Sequence, residues 1–81
     1  MDRSDALSTI KEVAAEVLSV EPDQVTEQAR FKEDLDADSL DLVELIMEIE
    51  ERFQITVPES ELEGVTTVGQ AIDLVVAKAG A

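Results

Sequence analysis

The side chains able to do chemistry gather between Glu33 and Phe53, in the run EDLDADSLDLVELIMEIEERF. Three chemistries suit them. The first is cation binding, because Asp34, Asp36 and Asp38 fall at positions one, three and five of a calcium-loop spacing. The pattern then breaks. Position six, which needs a Gly for the sharp turn, holds Ser39, and position twelve, which needs a bidentate Glu, holds Leu45 with Glu44 one place early. The expectation is therefore no built metal site, only weak attraction of divalent ions to clustered carboxylates. The second is acid catalysis by paired carboxylates. With 20 Asp and Glu in 81 residues, pairs arise by chance, and so short a chain lacks the walls that desolvate a substrate and drive two pKa values apart. The third is Ser39 as a point of covalent attachment. A hydroxyl in the first turn of a helix, at the end of an acidic loop, is open to another enzyme, and backbone N–H groups there help hold a phosphate. Against this stands a plain N-terminal serine. Asp36, Asp38 and Asp41 would repel a phosphate, so they suit metal or partner contacts better than a phosphate pocket. The residue pattern leaves Ser39 open between the two.

These residues need a helix to position them. Asp36 and Asp38 are good N-caps, and Asp38 with Asp41 three places on is a weak relative of the capping box. From there Leu42, Leu45, Ile49 and Phe53 repeat at the three- and four-residue steps of one buried face. A rotation of roughly 100° per residue gathers Leu40, Val43 and Met47 on the opposite side, among Asp41, Glu44, Glu48 and Glu51. That second strip either faces solvent and docks on a partner, or is the edge of a wide buried face.

Composition narrows the class. Residues 1–81 make one small domain, and 44% hydrophobic residues argue for a folded chain despite 32% charged ones. Two Phe, with no Trp or Tyr, imply an aliphatic core. A net charge of −14, from 6 Lys and Arg against 20 acids, argues against nucleic acid and anionic membrane surfaces as partners and favours basic patches. The absence of Cys and His removes disulfides, thiolate nucleophiles, Cys/His zinc sites and the usual proton shuttle, and it leaves Ser39 without a resident base. No signal-peptide plan and no bilayer-length apolar run occur, so a cytoplasmic chain is expected.

In chain order, Leu7, Ile10, Val13, Ala14, Val17 and Leu18 predict a first helix from about Ser4 to Ser19, ended by Glu21-Pro22-Asp23. Residues Val25 to Asp38 show neither period and read as a long loop pinned by Val25, Phe31 and Leu35. The second helix runs from about Asp38 to Arg52, and Gln54 to Val57 is a connector, with a strand over Phe53 to Val57 as the open alternative. Pro58 opens a brief helix through Glu63 that Gly64 ends. Thr67-Val68-Gly69-Gln70 fits a capping box for a last helix to about Lys78, with Val68, Ala71, Ile72, Val75 and Ala79 buried and Gly80 at its end. The sum is all-α: a small four-helix bundle of three main helices and one short one, with a long first loop.

Asp38-Ser39-Leu40, preceded by Glu33-Asp34-Leu35 and followed by Asp41-Leu42-Val43-Glu44-Leu45, resembles the attachment motif of acyl carrier proteins. The likeness extends to Val25-Thr26, Phe31, Glu50-Glu51-Arg52-Phe53, Val57-Pro58 and Thr66-Thr67-Val68. The resemblance implies that Ser39 carries 4′-phosphopantetheine through a phosphodiester, delivered from coenzyme A by a phosphopantetheinyl transferase with Mg²⁺. The arm's thiol would then hold acyl groups as thioesters, which accounts for thiol chemistry in a chain without cysteine. By the same resemblance Asp38 helps bind the transferase's metal. Leu40, Asp41, Val43, Glu44, Met47, Glu48 and Glu51 match the family's docking helix for basic patches on synthase enzymes, and, with no bulky aromatics in the way, sliding of the short helix is expected to open an acyl slot among Ile46, Ile49, Leu62, Val65, Ala71 and Ile72. One departure is visible: Asp36 stands where many members have Gly, and Asp tolerates positive φ better than most residues. The implied protein is a monomeric, non-catalytic carrier of a dissociated fatty acid synthase, with a polyketide-pathway carrier or an unmodified acidic adaptor as alternatives.

Overall fold

The computed structural model describes residues 2–79, apart from the Glu59 side chain. These residues form four α-helices: α1 (Arg3–Leu18), α2 (Ser39–Phe53), the single-turn α3 (Glu59–Leu62) and α4 (Val68–Ala79). Among the described residues there is no strand, and the only sheet-type pairing is an isolated antiparallel bridge between Arg30 and Thr67. The all-α expectation is met.

Helix α1 is the central element, packing against both α2 and α4. Its spacing puts Ala6, Ile10, Val13 and Ala14 in the core, with Leu7, Val17 and Leu18 packed at the margin. Each boundary lies one residue earlier than the periodicity suggested, because Ser19 already turns left-handed at φ 55°. Pro22–Gln24 then form a 3₁₀ turn, which periodicity alone read only as a terminator. Gln24 Oε1 accepts from the Glu21 N–H at 3.0 Å, and the Gln24 N–H donates to the Glu21 carbonyl at 2.9 Å.

The long segment to α2 is pinned as expected by Val25, Phe31 and Leu35, all buried, and also by Ala29 and Ala37. Backbone bonds sew it to the start of α4: Phe31 N–H to Thr66 O at 3.0 Å, Val68 N–H to Ala29 O at 2.9 Å, and Gly69 N–H to Glu27 O at 2.9 Å. Arg3 adds a charged tie, donating to Glu27 at 2.6 Å and to Asp73. This loop is a wall of the core.

The alternative strand at Phe53 to Val57 does not form. Phe53 closes α2, Gln54 follows at φ 55°, and the Val57 N–H bonds to the Glu50 carboxylate at 2.8 Å. The chain's β-prone FQITV is overridden by the helix C-cap and this side-chain acceptor. Pro58 stands just ahead of α3, its carbonyl accepting from Glu61 and Leu62 at 3.0 and 3.2 Å. The box at α4 is reciprocal: Gln70 N–H donates to Thr67 Oγ1 at 3.2 Å, and Gln70 Oε1 accepts from Thr67 N–H at 3.1 Å. The expected role of Gly80 lies outside the described residues. The core is aliphatic around one fully buried aromatic, Phe31.

Candidate functional site

The end of the long loop and the first turn of α2 form one locally determined unit. Asp34 N–H and Leu35 N–H bond back to Arg30 O at 2.9 and 3.2 Å, and Ala37 N–H reaches Phe31 O at 2.8 Å. Reversing the chain so tightly puts Asp36 at φ 55°, the conformation its position next to the motif called for. Asp38 then caps α2. Its carboxylate accepts from Asp41 N–H at 2.8 Å, while the Asp41 carboxylate accepts from Asp38 N–H at 3.3 Å. A full capping box with Asp in place of Glu results.

Asp34 is committed elsewhere. It accepts from the Arg30 N–H at 2.8 Å and from the Arg30 guanidinium at 3.3 Å, and these bonds, the backbone one above all, hold its carboxyl below the usual range. Among the described residues no three acids converge as a metal-ligand set.

Ser39 is the first residue of α2 and is exposed. It lines a cleft of about 420 Å³ together with Phe31, Lys32 and Glu33 of the loop, Leu42 and Val43 of α2, and Leu62, Glu63, Val65 and Thr66. The cleft therefore spans the loop, α2 and the segment that includes α3. An arm joined through the Ser39 oxygen fits these residues: the hydroxyl is open to solvent, and an apolar wall of Leu42, Val43, Leu62 and Val65 adjoins it. Of the six residues expected to form an acyl slot, Leu62 and Val65 line this cleft. Ile46, Ile49, Ala71 and Ile72 are buried in the core and do not line it. Phe31, Leu42 and Thr66 belong to the cleft although the sequence assigned none of them to an acyl slot, since a loop and two helices come together there only in three dimensions.

The second strip of α2 faces solvent. Leu40, Val43 and Met47 are 67%, 46% and 61% exposed, and they are the exposed large hydrophobics among the described residues. Glu44 and Glu51 beside them are exposed, and Asp41 and Glu48 half-buried. Four of the chain's six cations are engaged elsewhere: Arg3 with Glu27 and Asp73, Arg30 with Glu33 and Asp34, Arg52 with Glu12 and Glu16, Lys78 with Glu61. Among the described residues no ion pair involves Asp38, Asp41, Glu44, Glu48 or Glu51. An apolar strip ringed by unneutralised carboxylates is left facing outward. Among the described residues, no helix is long and apolar enough to cross a membrane.

Comparison with known proteins agrees with this geometry. Residues 8–75 match the family model described as a phosphopantetheine attachment site. An acyl carrier protein of Rubrobacter xylanophilus is 54% identical over 76 residues, covering 94% of each chain. One from Sulfurovum sp. is 52% identical over 66 residues, 82% of this chain and 88% of its own. The crystal structure of the Thermotoga maritima acyl carrier protein superposes with a TM-score of 0.86 at 30% identity, over 99% of this chain and 93% of that one. With the motif, the helical fold and these relatives in agreement, the chain belongs to the acyl carrier protein family.

Proposed function

We propose that residues 1–81 act as one carrier domain whose Ser39 holds the 4′-phosphopantetheine arm, and that it shuttles growing acyl chains between the enzymes of a dissociated fatty acid synthase. The function common to the family is acyl carriage on a covalently attached 4′-phosphopantetheine, and this chain has that function; the arm supplies the thiol that the sequence lacks. The observation that carries the assignment to Ser39 is its exposed hydroxyl at the start of α2, on the rim of a partly apolar cleft and beside an unpaired acidic strip. Asp38 and Asp41 hold the helix start in shape, and Asp38 also meets the transferase's metal. Leu40, Val43 and Met47 supply the apolar footprint for docking, and Glu44, Glu48 and Glu51 steer basic patches of the transferase and the synthase enzymes towards it. Such contacts form fast and are screened by salt. Leu62 and Val65 start the acyl path, and displacement of α3 extends it towards Ile46, Ile49, Ala71 and Ile72. The protein works as a cytoplasmic monomer with no catalysis of its own.

The test is to incubate the unmodified chain with coenzyme A and a phosphopantetheinyl transferase and weigh the product. The wild type gains one arm and Ser39→Ala gains none; labelling of Ser39→Ala would place the attachment elsewhere. The acyl groups found on protein isolated from its own cells separate a fatty acid carrier from a specialised one.

A further inference from the structure

We propose that Lys32 is a positioning residue for the base of the arm, its ammonium pairing with the phosphodiester on Ser39 across the mouth of the cleft. The inference rests on the reading that Ser39 carries the arm.

A phosphodiester on Ser39 enters hostile ground. Asp38 and Asp41 flank the attachment point in sequence, Asp36 and Glu44 stand a few residues further, and the whole chain carries −14. Each added like charge at close range raises the energy of the loaded state. Against this, the cleft that Ser39 shares with the loop is lined by a single cation, Lys32. The charged neighbours there differ in their commitments. Glu33 is bound to Arg30 at 2.6 Å, whereas Lys32 takes part in no ion pair among the described residues, although acids outnumber cations 20 to 6. Four of the six cations are engaged in ion pairs, and of the other two Lys11 lies on α1, outside the cleft lining. Lys32 follows directly on Phe31, which is buried and anchored by its N–H to Thr66 O at 3.0 Å. Its backbone is thus fixed on the cleft wall while a flexible four-carbon stem lets the head sweep the rim. A compact ammonium suits a phosphodiester, whose single negative charge is shared by two non-bridging oxygens, since a point charge can pair with either. Pairing would hold the base of the arm over the Leu42, Val43, Leu62 and Val65 wall and leave its distal end free.

The experiment uses full-length chain loaded by a transferase with coenzyme A, with the mass of every sample checked first. Side-chain ¹³C–¹H and ³¹P NMR are then recorded for wild type, Lys32→Gln, Lys32→Arg and the control Lys11→Gln. The expected result is that the Lys32 Cε–Hε signal shifts on loading and moves back at about 1 M NaCl, where the screening length is about 3 Å. The ³¹P line should narrow in Lys32→Gln and keep its wild-type width in Lys32→Arg and Lys11→Gln. A full gain of mass with an unmoved Lys32 signal, or the same ³¹P line in Lys32→Gln as in Lys11→Gln, overturns this assignment alone. No gain of mass in the wild type overturns the Ser39 reading, and this one with it.

Discussion

Asp36 sits at φ 55° two residues ahead of the cap of α2, in a region where a Cβ crowds the following carbonyl. Replacing it with Gly or Ala removes the same charge, so comparing the two isolates the backbone. Asp36→Ala is expected to be less stable than Asp36→Gly by about 1 kcal/mol in denaturant unfolding. Equal midpoints would show that the turn carries no conformational strain. Asp34 gives a second residue-scale test. Its native carboxyl, stabilised by Arg30, ionises below the ordinary value of 3.8, so folding favours the deprotonated form. The contribution is complete above that ordinary value and disappears as the pH falls through the lower native one. The stability gap between wild type and Asp34→Asn should therefore be constant near neutrality and close in strong acid, as read by urea titrations across pH.

At the scale of elements, the long loop is joined to α4 by contacts that leave no room for a side chain. A Cβ built on Gly69 would lie 3.0 Å from Glu27 O, and that oxygen cannot easily withdraw because Gly69 N–H donates to it at 2.9 Å. Ala is worth up to about 1 kcal/mol over Gly in a helix, but forcing a methyl into a fixed contact costs about 1 to 3 kcal/mol. Gly69→Ala should thus lower unfolding free energy by about 1 kcal/mol without changing the denaturant slope. A gain in stability would mean the loop yields. The same seam explains how a 14-residue stretch without regular periodicity, Val25 to Asp38, serves as structure: five of its side chains are buried, at Val25, Ala29, Phe31, Leu35 and Ala37.

For the molecule as a whole, net charge opposes the compact state. The seven ion pairs among the described residues all involve partly exposed side chains and are each worth little. The excess of twenty acids over six cations leaves net repulsion throughout. Salt weakens both, but the repulsion is the larger sum, so the melting temperature should rise with NaCl. Scanning calorimetry from low to high salt checks this, and a flat or falling trend would show that the ion pairs dominate. The same charge suits the proposed function, because a shuttle must find basic surfaces quickly and leave them again.

The sequence by itself determined what depends on near neighbours. Three- and four-residue periodicity set α1, α2 and α4, Asp38 and Asp41 wrote the start of α2, and the placement of Leu40, Val43 and Met47 opposite Leu45 and Ile49 drew the second face. Which of two readings that face takes, surface or core, was decided only by packing, since α1 packs on α2 and buries Leu45 and Ile49 while Leu40, Val43 and Met47 stay exposed. The 3₁₀ turn, the Arg30–Thr67 bridge, the Arg3 ties to Glu27 and Asp73, and the cleft joining Phe31 and Lys32 to Ser39, Leu62 and Val65 were likewise settled by tertiary structure. Each brings together residues far apart along the chain or outside any helical period, and no local repeat records which distant groups meet when apolar surface is buried.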